Sequence, residues 1–148
     1  MRPIREPPSS SAGSANDLII SAIKQTDFDV GSSRREFSGD VQIKPPRFAM
    51  RCDHFIVHLK TDGSGISYGE GIGNVFIRMR NEVKPSGHEG FAHRAIYRPG
   101  EGTLTLSGWP KIREQHKEHV AATEETKMVL YTDGRVKTLG RNRTIISN

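Results

Sequence analysis

The chain has 148 residues, with 22 basic and 17 acidic side chains and a formal charge of +5. Apolar residues make up only 34% of it and the mean hydropathy is −0.57, which argues against a thick central core and for a thin sandwich or open sheet with much wet surface. No apolar run approaches the roughly 20 residues that cross a bilayer as a helix, and one cysteine, Cys52, excludes an internal disulfide.

Residues 1–16 are rich in Pro and Ser and hold almost nothing to bury, so a flexible tail is expected there. No apolar stretch of roughly 7–15 residues follows Arg2 and Arg5, so no secretory signal is expected in this tail. One β domain over 17–148 is expected to follow. Leu18-Ile19-Ile20 and Phe28-Asp29-Val30 read as strand, with a turn over 29–35.

From there the chain repeats itself. Phe37-Ser38-Gly39-Asp40-Val41-Gln42-Ile43 alternates with period two, the mark of a half-buried strand, and sets a glycine among its apolar positions. Gly73-Asn74-Val75-Phe76-Ile77-Arg78-Met79 does the same, and so does Thr103-Leu104-Thr105-Leu106-Ser107-Gly108-Trp109-Pro110. Gly39, Gly73 and Gly108 recur at a period of roughly 34 residues, and Gly140 continues it within a shorter fourth copy over 136–146. Interior strand glycines mark bends or close backbone approaches, so these four are read as the positions where strands bend. Each copy is followed by a polar loop and a second strand, expected over 48–60, 91–97 and 120–132. A fixed period of this size is the signature of stacked supersecondary units.

Within 48–60 the apolar positions change parity. Phe48, Met50 and Cys52 are even, whereas Phe55, Val57 and Leu59 are odd. One extra residue near Asp53, a β-bulge, accounts for the switch. Residues 81–90 form the longest loop, and 114–118 a polar connection. The repeat assigns 116–127 to loop and strand, although a short helix fits there too.

The chemistry-bearing residues give little support to catalysis. His54 and His58 lie on one side of a strand about 13 Å apart, too far for one metal, and no His, Cys or carboxylate set has zinc-site spacing. The six histidines are therefore expected at the surface or at edges, with no metal and no cofactor. There is no Gly-x-Ser-x-Gly elbow, no base beside Cys52, and no third glycine in register after Gly71 and Gly73. The chain is read as a non-enzyme. Arg78, Arg80, Arg94, Tyr97 and Arg98 are the nearest approach to a nucleic-acid patch. The excess charge is spread too thinly to make nucleic acid the expected partner, so a basic all-β nucleic-acid module is the runner-up.

The repeat grammar resembles that of the LptA family of lipopolysaccharide transport proteins, with their OstA-like repeats. There a Gly-Asn-Val phrase alternates with a longer one, A-x-x-x-x-Y-x-x-x-x-G-x-L-x-L-x-G-x-P. Gly73-Asn74-Val75 matches the first; Ala92, Tyr97, Gly102, Leu104, Leu106, Gly108 and Pro110 match the second position by position. Thr26-Asp27-Phe28-Asp29 and the terminal half-unit extend the likeness over 17–146. At His116–His119 the chain departs from the short Gly/Asn turn of the family.

The resemblance implies an all-β, antiparallel repeat sheet folded into a V-shaped jellyroll open at both ends. It implies a periplasmic location, an apolar groove for the acyl chains of lipopolysaccharide or lipid A, and partners of related fold at the inner and outer membranes. Residue parity places Val41, Ile43, Phe48, Met50, Val75, Ile77, Met79, Leu104, Leu106, Ile112, Val120 and Leu130 in that groove. Leu18, Ile19 and Ile20 at one end and Thr144, Ile145 and Ile146 at the other are expected as unguarded strand edges for head-to-tail self-association. A proline at Ile145 is expected to block the second edge. A ligand-free structural β-polymer shares this fold and differs only in carrying no lipid.

Overall fold

The computed structural model describes residues 18–28, 31–44, 48–79 and 87–147. Twelve strands follow one another: β1 (Ile19–Ser21), β2 (Gln25–Phe28), β3 (Arg34–Lys44), β4 (Phe48–Leu59), β5 (Ile66–Met79), β6 (His88–Arg98), β7 (Thr103–Ser107), β8 (Lys111–Arg113), β9 (Lys117–Ala121), β10 (Lys127–Tyr131), β11 (Val136–Leu139) and β12 (Asn142–Ile146). Every pairing is antiparallel, and no helix occurs among the described residues.

Four long strands, β3 to β6, each serve two walls. The leading half of β3, the trailing half of β4, the leading half of β5 and the trailing half of β6 join β2, β7, β10 and β11 in one wall. The other halves join β1, β8, β9 and β12 in the second wall. Between the halves the register breaks, at Ser38/Val41, Arg51/His54 and Ile72/Val75. These breaks line up as a crease, so the sheet folds into a V and does not close into a barrel. The antiparallel jellyroll expected from the sequence is the observed architecture.

The crease is built from paired left-handed residues. Gly39 and Asp40 have φ of 86° and 42°, Gly73 and Asn74 of 85° and 48°, and Gly108 and Trp109 of 77° and 54°. Gly140, at φ 100°, turns β11 into β12. Glycine is required at Gly73 and Gly108 for a second reason. A Cβ on Gly73 would lie 2.6 Å from Asp53 Oδ2, and one on Gly108 would lie 2.4 Å from His93 Cβ. Gly39-Asp40 and Gly73-Asn74 are the two-residue sides of bulges, with Asp53 of β4 and His93 of β6 the single residues opposite, and Asp53 and His93 pack directly onto a neighbour's glycine. The register does break at Asp53, but the extra residue lies on the neighbours β3 and β5 and not on β4 as expected from the sequence.

Three expectations change. The strand expected over 120–132 is two strands, β9 and β10, because residues 122–126 turn at the crease and Thr126 N–H closes the turn on Thr123 O at 3.3 Å. The strand expected over 28–30 ends at Phe28 and starts earlier, at Gln25, pairing with β3; residues 29 and 30, like the tail over 1–16, lie outside the described residues. The expected loops are shorter at their ends, since β6 already starts at His88 and β9 at Lys117.

Inside the V one apolar cluster runs along both walls. Val41, Ile43, Phe55, Ile77, Ala95, Leu104, Leu106, Ile112 and Met128 are wholly buried. A ring contact joins the walls: Phe48 of one meets Tyr97 of the other edge-on at 5.0 Å. Fully burying each of the larger of these side chains stabilises by roughly 1.5–3 kcal/mol, and this thin inner layer is the core among the described residues.

Candidate functional site: an apolar groove with a polar slot at its rim

Strand parity decides which residues face the groove. In β5, Val75, Ile77 and Met79 point inward and are buried, whereas Phe76 and Arg78 between them point out. In β7, Leu104 and Leu106 point inward. Their cross-strand partners Met128 and Leu130 lie on the same face, adding apolar contact across the ladder. Of the groove residues read from the sequence, Val41, Ile43, Phe48, Met50, Val75, Ile77, Met79, Leu104, Leu106, Ile112 and Leu130 all lie in this buried cluster.

Val120 does not. It pairs with Lys111, one position off the buried Ile112, and so faces outward. With the turn over 122–126 recognised, the inward residue at the end of β9 is Ala121, which is buried. Reading β9 and β10 as one strand set the parity one residue out. Cys52, Phe55, Val57, Ala95 and Met128 complete the interior. The bulge-corrected alternation of β4 is the signal that finds the first three.

Glycines let the walls approach closely. A Cβ on Gly90 would lie 3.0 Å from Leu106 Cδ1 and 3.5 Å from Leu130 Cδ1, and one on Gly71 would lie 3.0 Å from Met50 Sδ. Gly90 and Leu106 belong to opposite walls, as do Gly71 and Met50. The middle of the groove is therefore packed shut by its own side chains.

The rims of the V, away from the crease, remain apart over the C-terminal strands. A cavity of about 750 Å³ lies there, bounded by His88, Glu114, Lys117 and His119 on one rim and by Tyr131, Arg135, Val136 and Thr138 among others on the opposite one. Its floor is polar. His88 is 2% exposed, with Nε2 3.4 Å from Glu114 Oε1, and His119 Nε2 lies 2.9 Å from Glu114 Oε2. His119 Nδ1 in turn meets Thr144 Oγ1 at 3.2 Å. Surface histidines were expected throughout, and His88 is the exception. Its pairing with the inward Met79 at the rim end of β6 fixes it on the groove face, a position hidden while residues 81–90 read as loop. No set of three His, Cys, Asp or Glu suited to a metal occurs among the described residues.

Of the arginines of the runner-up reading, Arg78, Arg94 and Arg98 are dispersed and engaged, Arg98 over the Tyr68 ring. Arg78 pairs with Glu89 at 3.2 Å on the second wall, and Arg94 pairs with Glu70 on the first. Tyr97 is half-buried inside the groove against Phe48, and Arg80 lies outside the described residues.

At the ends of the V, among the described residues, β1 pairs only with β3 and β12 only with β9, both in the second wall. Ile19, Ile145 and Ile146 are exposed there, Thr144 is exposed, and Leu18 and Ile20 are partly buried against the core. The first wall has edges of its own, β2 and β11, and Leu139 is exposed on the latter. The sequence reading named only one wall's edges.

Among solved structures, the chain matches LptH from Pseudomonas aeruginosa, described as the LptA-homologous periplasmic component of the conserved lipopolysaccharide transport device, with a TM-score of 0.74. The match covers 90% of this chain and 96% of that one, at 12% sequence identity. The fold is LptA-like. At that identity the likeness is one of architecture, carried by the creased repeat. No protein-family model and no curated protein matches the sequence.

Proposed function

We propose that this chain is a non-catalytic carrier of lipopolysaccharide, holding the acyl chains of its lipid A part between the two walls. One observation carries the reading: a continuous buried apolar layer between walls that are open at both ends and parted along one rim. The architecture shared with LptH supports it, as does the match of the Ala92–Pro110 phrase to the family's repeat. By this reading the protein works in the periplasm, between partners of related fold at the inner and outer membranes, in head-to-tail oligomers.

Energetics favour an open groove for such work. Burial of one CH₂ stabilises by about 0.8 kcal/mol, so a twelve-carbon chain gains about 10 kcal/mol gross on leaving water. A closed pocket would retain that ligand. Passage between like grooves nearly cancels the burial term, so each transfer is close to isoenergetic. Unpaired edge strands at either end offer β-augmentation to the next copy, which would make the grooves continuous.

Photo-crosslinking tests the assignment. Crosslinkers at Val75, Ile77 and Leu106 should capture lipopolysaccharide, and crosslinkers at the outward Arg78 and Thr105 should not. Capture from the outward positions alone would overturn it. Native mass spectrometry of protein from its own cells separates a lipid carrier from a bare β-polymer.

A further inference from the structure

The rim cavity contrasts with the rest of the interior. Most of the buried interior is apolar, but here the floor is a His–Glu–His chain in which His88 is buried and Glu114 and His119 are partly buried. An acyl chain lying on it would cover Glu114 and His88 with hydrocarbon, and burying such polar groups without full hydrogen bonding costs several kcal/mol. The tails of an amphiphile therefore run past this slot, and what fills the slot is polar.

Its charge can be sorted residue by residue. Glu114 is held between His88 and His119. Asp133 is held by Arg135, whose Nε lies 2.9 Å from Oδ2, and that guanidinium also lies 4.2 Å from the centre of the Tyr131 ring. Lys117 stands two residues before His119 on the same face of β9 and lines the cavity. Its ammonium makes no ion pair among the described residues. Thr138, opposite the inward Met128, brings a hydroxyl from the other rim. Lys137 lines the cavity as well, so three cations, Lys117, Arg135 and Lys137, stand against the two carboxylates, and the charge left to meet a ligand is positive.

We propose that this slot holds the anionic head group of the bound amphiphile, with Lys117 and Arg135 as the cations that meet its phosphate. The proposal rests on the carrier reading above. Two residues that line the slot, Val136 and His119, are the cross-strand partners of the buried Leu130 and Ile112, so a head group seated there leaves its chains beside the apolar layer. Charge-assisted contacts to phosphate are about twice as strong as neutral ones. Two of them would orient the ligand in a groove that otherwise has no directional contacts.

The test compares binding of lipid A with binding of the same lipid stripped of its phosphates, by wild type, Lys117→Glu and Lys117→Gln, with inorganic phosphate as a competitor. Wild type should prefer the phosphorylated lipid by about tenfold. The preference should shrink in Lys117→Gln, vanish or invert in Lys117→Glu, and weaken as salt screens the charges, with affinity for the stripped lipid unchanged throughout. Equal binding of both lipids by wild type would overturn the head-group site and leave the groove standing. Binding of neither would bring down the carrier reading and this one together. Lys117-dependent binding of inorganic phosphate without lipid would show a free-anion site and overturn the lipid assignment.

Discussion

Gly63 and Gly73 separate two costs that substitution at a turn usually mixes. Both have positive φ, 76° and 85°, so alanine at either meets the left-handed penalty of roughly 1–2 kcal/mol. At Gly63 a Cβ meets nothing within 4 Å, whereas at Gly73 it would lie 2.6 Å from Asp53 Oδ2 and 3.1 Å from Asp53 Cβ. Gly63→Ala should cost about 1 kcal/mol in urea unfolding and Gly73→Ala at least twice that. Equal costs would mean that Asp53 does not press on the crease. Glu70 offers a second test, on the outer face of the first wall. The hydrogen bond from Arg94 holds its carboxyl below the ordinary value of 4.5, with His58 adding to the effect and burial opposing it. A lowered folded-state value makes this stabilisation fully present above the ordinary Glu range and removes it as pH falls through the lowered value. Glu70→Gln should therefore destabilise near neutral pH, and its deficit against wild type should close as unfolding is followed downward from about pH 4.5. A deficit unchanged down to strongly acid pH would show that charge is not what Glu70 contributes.

The edge of β12 shows how an element can be legible while its hydrogen-bond phase is not. The sequence marks 144–146 as an apolar edge, and β12 is an edge. Which amides face outward depends on register. Ser147 N–H donates to His116 O at 2.8 Å and Ala122 N–H to Arg141 O at 2.9 Å. In an antiparallel ladder hydrogen-bonded pairs alternate, so the amides of Arg143 and Ile145 point into β9 and those of Thr144 and Ile146 point out. A proline at Ile145 thus removes an internal ladder bond and not the outward donor expected from sequence. Ile146→Pro should shorten oligomers in light scattering with little loss of stability, whereas Ile145→Pro should lower the melting temperature. Strictly monomeric wild type across the micromolar range would remove the edge from the argument. Much else at this scale was written in the sequence. The period of the glycines marked the crease, and the parity switch after Cys52 marked the register break there, although the inserted residues are on β3 and β5. What escaped were features without a local signature. The turn over 122–126 has no glycine or proline to announce it, so β9 and β10 read as one strand and Val120 was set inward. His88 lay in a loop-like stretch, and only its pairing with Met79 brought it inside.

For the whole molecule, the closed interior sets the condition for any cargo: the walls must part before a chain can enter. Phe48 on Tyr97, Met50 over Gly71, and Leu106 and Leu130 over Gly90 are the contacts that have to yield. Cys52 is placed to report it. The thiol is 3% exposed and lies at the crease end of the second wall, beside Gly71 of the first. Burial, with a smaller push from Asp53, raises its pKa from the ordinary 9.0 to about 12 against a hydrogen bond from the Ile72 backbone. That rise lowers the reactive thiolate fraction at neutral pH roughly a thousandfold, and burial blocks access as well. As the only cysteine in the chain, it makes labelling by a thiol reagent a direct measure of opening. Native labelling should be at least about a thousandfold slower than in urea, with a rate set by how often the walls separate. Gly71→Val puts a wedge into the contact with Met50, where a Cβ already lies 3.3 Å from the Cys52 Sγ. Gly71 has no left-handed φ to be strained, so the sheet should persist by circular dichroism while labelling speeds up severalfold. If wild type labels as fast folded as unfolded, the walls do not close on each other. If the wedge leaves the rate unchanged, Cys52 is exposed by local fraying at the crease and not by parting of the walls.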